Sequence, residues 1–181
     1  MQKIKQTSVF LAGLALMSKP ASAMQIIPEE FILNSSVGAC ATTLNSERII
    51  TTTYEAATGQ VTISTTVPNG SYTGFGWGQT MTNTEMVIFS ASPGSGSSIE
   101  YYYSTGETTP SSDANLDSCY NSKVIQQVGG NTVFSVSRPL DCGTSSTYVI
   151  KLDTEIPLIA AFNPNSSNLS FHSSNYFQFT Q

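Results

Sequence analysis

Strand-length runs of β-branched and aromatic residues, each ended by a turn residue, recur along this chain from residue 48 almost to its last position. No window holds a 3.6-residue apolar period over ten or more positions, so long helices are excluded. The runs fall at 48–54, 61–67, 72–77, 85–91, 100–103, 123–128, 132–138, 147–152, 156–161 and 176–180. Val61, Ile63, Thr65 and Val67 alternate cleanly before Pro68, Asn69 and Gly70 turn the chain. One short helical turn fits near 111–117. Short strands at this density predict an all-β fold, a two-sheet antiparallel β-sandwich of the immunoglobulin-like kind. Ser and Thr supply 45 of the 158 residues after position 23, a share that suits sheets better than helices.

Residues 1–23 read as a secretory signal. Lys3 and Lys5 precede an apolar run from Val9 to Met17, and Ala21, Ser22 and Ala23 form a small-x-small cleavage pattern. That run is too short to cross a bilayer, and nothing later approaches about 20 apolar residues. The remainder, 24–181, is expected to be a single domain, because no repeat, Pro-rich linker or charge block divides it. Without Lys3, Lys5 and Lys19 the basic residues fall from 7 to 4 against 12 acidic ones, a net charge of −8. Nucleic acid and anionic membrane are therefore poor partners. The expected location is secreted, extracellular or at the cell surface. Asn34, Asn69, Asn165 and Asn168 each open an acceptor sequon and are glycosylation candidates, although such triplets also arise by chance in a Ser-rich chain.

Three cysteines follow the signal: Cys40, Cys119 and Cys142. In an oxidising compartment two are expected to pair. A hairpin is expected across 122–140. If Gly130 and Asn131 form its two-residue turn, opposed residues have numbers summing to 261, which sets Cys119 against Cys142. A turn at Gly129 and Gly130 would shift that register by two. Cys40 is left over, free or available for an interchain disulfide.

The chain contains one histidine, His172, which excludes three-His zinc sites and His-Glu-x-x-His within a single copy. No Gly-x-Ser-x-Gly elbow presents a serine, and no complete catalytic constellation occurs, so an enzyme is not expected. Gly74, Gly76 and Gly78 share one parity, leaving one strand face bare while Phe75 and Trp77 occupy the other. A bare strip admits a flat object, another backbone or close sheet packing. Met81 follows in a turn, where it is a core gap-filler or a soft ligand. An imidazole and a thioether are a pair that holds haem iron in electron-transfer proteins. Arg138 shares the apolar phase of Phe134 and Val136, and an inward guanidinium needs an anion. A haem propionate, a carboxylate such as Asp141, or a snorkelling path before Pro139 would each serve; in the register above Lys123 lies opposite.

The stretch YTGFGWGQTMTNTEMVIFSA (72–91) resembles the central signature of DOMON domains. IEYYYSTGETTPSSD (99–113), TVFSVSRPLDCG (132–143), IPLIAAFNP (156–164) and FHSSNYFQF (171–179) are similar to later segments of that family, in the same order. The resemblance implies a sandwich like the cytochrome domain of cellobiose dehydrogenase, with haem b between sheets and axial Met and His. Carried onto this chain, the ligands would be Met81 and His172, with Met86 the less likely sulfur. Arg138 would meet a propionate or a structural partner, and Gly76 and Trp77 would border the cofactor. No Cys-x-x-Cys-His occurs, so the haem would be held noncovalently. The implied role is a one-electron carrier or redox subunit working with a redox partner protein or an assembly of like subunits. Many members of the family instead bind sugars or other partners, so the alternative is a haem-free DOMON module binding a glycan or protein.

Overall fold

A computed structural model describes residues 37–180 apart from 95, 153 and 171–174. The expected signal, Asn34 and His172 lie outside the described residues. Turn residues between neighbouring runs make most connections hairpins, so sequential strands pair antiparallel. The first hairpins are β1 (Val37–Asn45), β2 (Arg48–Glu55) and β3 (Gln60–Pro68); Gly59 and Gly70 turn the chain with φ of 64° and 83°. Then come β4 (Ser71–Trp77), β5 (Thr82–Ala91), β6 (Ser98–Thr105), β7 (Ser111–Ser112), α1 (Ala114–Cys119), β8 (Asn121–Val128), β9 (Asn131–Pro139), β10 (Pro157–Asn163) and β11 (Tyr176–Thr180).

These strands form the two-sheet antiparallel β-sandwich that the sequence predicts. One sheet has the order β1-β2-β3-β9-β8 and the other β11-β10-β4-β5-β6-β7. Ile50, Ile63, Phe134 and Val136 of the first sheet face Phe75, Val87, Phe89 and Leu158 of the second, all buried. In β3 burial alternates as period two requires, with Val61, Ile63, Thr65 and Val67 inward. β4 departs from that rule: all seven residues are buried. So are Thr84 to Ala91 of β5. A strand buried on both faces needs cover on its outer side as well, and an apolar cleft lies there.

Three expectations are corrected. The hairpin turn is Gly129 and Gly130, with Gly129 at φ 60° and Val128 opposite Asn131, so opposed numbers sum to 259. Cys119 and Cys142 are nonetheless joined by a disulfide, Cα atoms 5.5 Å apart. It is not a cross-strand pair: Cys119 ends α1 and Cys142 follows β9, so the bond ties the helix to the loop beyond the sheet. A bulge between Asn121 and Val124 takes Lys123 out of the ladder, and Asn121 rather than Lys123 meets the end of β9. Lys123 instead binds Asp117 at 2.6 Å. Residues 147–152 form no strand, because the Tyr148 amide donates to the Glu85 carboxylate and the Ile150 amide to the Leu140 carbonyl. Cys40 is free and exposed on β1. Among the described residues no helix is long and apolar enough to cross a membrane.

Candidate functional site

On the outer face of the second sheet, Gly74 pairs with Ile88 and Ala161, and Gly76 with Met86 and Ile159. The glycines do not leave empty space. A Cβ on Gly74 would sit 2.9 Å from Ile88 Cδ1, and one on Gly76 would sit 2.9 Å from both Ile159 Cγ1 and Thr84 Cγ2. The neighbouring side chains therefore lie down over β4, and the sheet presents a low apolar floor. Above it is a small cleft of about 40 Å³, lined by apolar groups that include Met81, Met86, Pro110, Leu169 and Tyr176. That is well below the range of about 300–1,000 Å³ typical of small-molecule sites, which only the space beside it, about 750 Å³, reaches. A more polar trough continues from Met81 and Leu169 past Thr80, Glu107, Thr109 and Gln178.

Met81 is half-buried at one rim, and its turn is fixed in place. Gly78 adopts φ 152° and donates its amide to the Pro157 carbonyl at 2.9 Å. The Thr84 hydroxyl donates to the Thr80 carbonyl, and the Thr82 amide to Thr80 Oγ1 at 3.1 Å. A bulge between Thr82 and Thr84, with Asn83 at φ 53°, bends β5 away from the turn. The opposite rim is anchored as firmly. Tyr72 Oη donates to the Ser170 carbonyl and Asn163 Nδ2 to Ser170 Oγ at 3.1 Å. Past the undescribed residues, the Phe162 amide donates to the Asn175 carbonyl at 3.1 Å.

Trp77 and Arg138 do not line the cleft; they lie behind its floor, between the sheets. Arg138 is fully buried and its anion is Glu85 of the other sheet, with the guanidinium Nη1 on Glu85 Oε1. Nη2 donates to the Tyr148 carbonyl and Nε to the Pro139 carbonyl, so all three guanidinium nitrogens are engaged within the protein. Asp141 is not the partner: its carboxylate accepts the Gly143 amide. The Glu85 carboxylate also accepts from Tyr120 Oη, which in turn accepts from Trp77 Nε1 at 3.1 Å. The guanidinium lies 5.7 Å from both the Trp77 and Tyr120 rings. Burial first, and then the Glu85 charge, raise the Tyr120 phenol well above its ordinary pKa, so it stays a donor. This network satisfies a buried ion pair that would otherwise be costly. Glu85 shares parity with Val87 and Phe89, the same signal that exposes Arg138, but nothing in the sequence says the two phases meet.

Closer to the cleft, Tyr102 sits opposite Met86 and donates to Glu100; burial, helped by that bond, pushes its phenol up to about 12. Asn165 and Asn168 are exposed, whereas Asn69 accepts from Thr132 Oγ1 at 2.9 Å. Among the described residues no group of three or more His, Cys, Asp or Glu side chains forms a metal cluster. Among the described residues that line the cleft, Met81 and Met86 supply the soft thioether groups; His172 lies outside the described residues.

The family described as DOMON domain matches residues 45–163, a span that includes Met81 and Arg138 and stops before His172. Among solved structures, the chain is similar to the cytochrome domain of Myriococcum thermophilum cellobiose dehydrogenase. The two share 12% identity over 80% of this chain and 81% of that one, with a TM-score of 0.53. The cytochrome b domain of pyranose dehydrogenase from Coprinopsis cinerea is similar at 15% identity, over 80% of this chain and 75% of that one, with a TM-score of 0.46. No curated protein matches the sequence.

Proposed function

Because this chain belongs to the DOMON domain family, and because its second sheet carries an apolar cleft with a sulfur in its lining, we propose that it is a haem b-binding one-electron carrier. Met81 and His172 are the residues that would hold its iron, and Gly76 would form part of the floor. The apolar cleft carries this reading: a soft thioether at the edge of a low hydrophobic floor suits a flat, largely apolar group held without covalent attachment. Sequence position supports the second ligand. His172 follows Ser170 by two residues in the sequence, and Ser170 lines the trough beside the cleft. When bound, haem supplies a reversible Fe(III)/Fe(II) couple, and Met/His ligation raises its potential. The protein's own residues do the rest. Ile88 and Ile159 cover the floor with apolar groups, the Thr80 and Thr84 bonds hold the Met81 turn, and Tyr72 holds Ser170.

Residues 1–23 are proposed to direct export, with 24–181 as the mature domain and Asn165 and Asn168 as its most accessible glycosylation sites. The expected partner is a redox protein or a like subunit, and no catalysis of its own is assigned. One observation favours the alternative of a haem-free module for glycans or proteins: Glu107 is the sole charged residue among those lining the cleft and trough, so no described cation waits for a propionate.

Oxidised and reduced visible spectra of the haem-supplemented protein decide between the two. The carrier reading expects a Soret band and a sharp reduced α-band, both lost in His172→Ala and weakened in Met81→Ala, with Met86→Leu unchanged. Absence of any Soret band supports the haem-free module; an unaltered α-band in His172→Ala overturns the ligand assignment.

A further inference from the structure

β8 is an edge of the first sheet and pairs with β9 alone. All eight of its residues are exposed. Val124, Ile125 and Val128 stand 48%, 45% and 52% open to solvent. Edge strands of this composition are normally blunted by a charge, a proline or a bulge inside them. Residues 124–128 read Val-Ile-Gln-Gln-Val and contain none of these; the bulge and Lys123 both come before them. The strand is also braced from behind, where Gln127 Nε2 donates to the carbonyls of Ser92 at 3.1 Å and Gly94 at 3.0 Å. Its open edge is therefore preorganised for pairing.

The segment is complementary to itself. The two-residue turn at Gly129 and Gly130 makes Val128 and Asn131 the hydrogen-bonded closing pair. Val124, Gln126 and Val128 thus turn their amides and carbonyls toward β9, and Ile125 and Gln127 turn theirs to the open edge. With a second copy placed antiparallel about a two-fold axis at Gln126, Ile125 meets Gln127 of the other copy in hydrogen-bonded pairs. Val124 then opposes the other copy's Val128 in the closer, non-hydrogen-bonded arrangement, once on each side of the axis. Moving the axis one residue either way sets a valine against Gln126 and loses both valine pairs.

Charge selects the same strip. The chain carries −5 overall. Of its four cations among the described residues, Arg48 and Arg138 are buried, Lys123 is paired with Asp117 and Lys151 is exposed, so the surface is predominantly acidic. Two acidic copies repel wherever carboxylates meet, and 124–128 has no charge. We propose that β8 is the contact strand of a two-fold homodimer, joining the first sheets of two copies into one continuous sheet.

Light scattering on the full secreted chain, in reductant and across a concentration series, tests this. The wild type is expected to rise toward twice the monomer mass, while Val124→Lys/Val128→Lys stays monomeric with an unchanged circular dichroism spectrum and thermal midpoint. In a Cys40→Ser background, Gln126→Cys is expected to form an interchain disulfide on oxidation, and Thr66→Cys on the same sheet is not. A wild type that stays monomeric throughout, a lysine variant that dimerises equally well, or equal cross-linking from positions 126 and 66 overturns the proposal.

Discussion

A single added carbon tests the floor of the cleft. In Gly76→Ala the new Cβ arrives 2.9 Å from Ile159 Cγ1 and Thr84 Cγ2, with the Glu85 carbonyl at 3.3 Å as a backstop that cannot rotate away. Ile159 must lift into the cleft, and overpacking of this kind costs about 1–3 kcal/mol. Gly38→Ala is the internal control, since nothing lies within 4 Å of its Cβ; urea midpoints should separate the two, and only Gly76→Ala should weaken ligand uptake. The pair behind the floor makes a sharper case. Arg138→Met leaves the Glu85 carboxylate buried without its cation and is expected to cost about 3–5 kcal/mol. Adding Glu85→Leu should recover much of that loss, because two well-packed apolar residues replace the pair without a stranded charge. Urea denaturation of the single and double variants gives the comparison; a double variant no more stable than Arg138→Met would mean that the Tyr148 and Tyr120 bonds to Glu85, not the ion pair, dominate.

At the scale of elements, α1 shows how little local sequence is needed when a cap is present. Asp113 accepts the Asn115 amide at 2.8 Å, and its backbone is extended as an N-cap requires. Those hydrogen bonds, from the Asn115 amide first and then Ser146, hold its carboxyl below the ordinary value. A depressed folded-state pKa means that the contribution is present above the unfolded-state value of about 3.9 and fades as pH falls through the folded value. Asp113→Ala should therefore lose about 1 kcal/mol at pH 7, and urea curves of wild type and variant should draw together as pH falls below the unfolded-state value. The elements that the sequence conceals have physical reasons for it. β1 is built on Gly38, Ala39 and Ala41, which lack the bulk that marks a strand, and it is held by its ladder with β2. Residues 147–152 have strand composition, but their amides are spent on Leu140 and Glu85. The glycine strip and Met81 were legible because parity and turn position are local. The Glu85 partner of Arg138 was not, because pairing across two sheets is set by packing that no strand records by itself.

Across the whole molecule, one covalent bond and one aromatic group connect the loop beyond β9 to the core. The disulfide ties Cys142 in that loop to Cys119 at the end of α1. Farther along the loop, Tyr148 stacks on Trp77 with centroids 6.2 Å apart and gives its amide to Glu85. Without the bond, the unfolded chain regains the freedom of a loop spanning a separation of 23 residues, and Cys119→Ser/Cys142→Ser should lose about 3 kcal/mol. Chain entropy alone would lower the unfolding midpoint and leave the folded state untouched. If the disulfide also positions the loop, folded protein below its midpoint should already show a shifted emission, because Trp77 is the only tryptophan and is 2% exposed. Its spectrum reads the Tyr148 stack and the Glu85 network directly. We expect the larger effect, a red shift in the native baseline together with the lower midpoint. Restored loop contacts should come with reoxidation of the wild-type protein and not with the serine variant. An unshifted native spectrum in the serine variant would confine the bond's role to the unfolded chain.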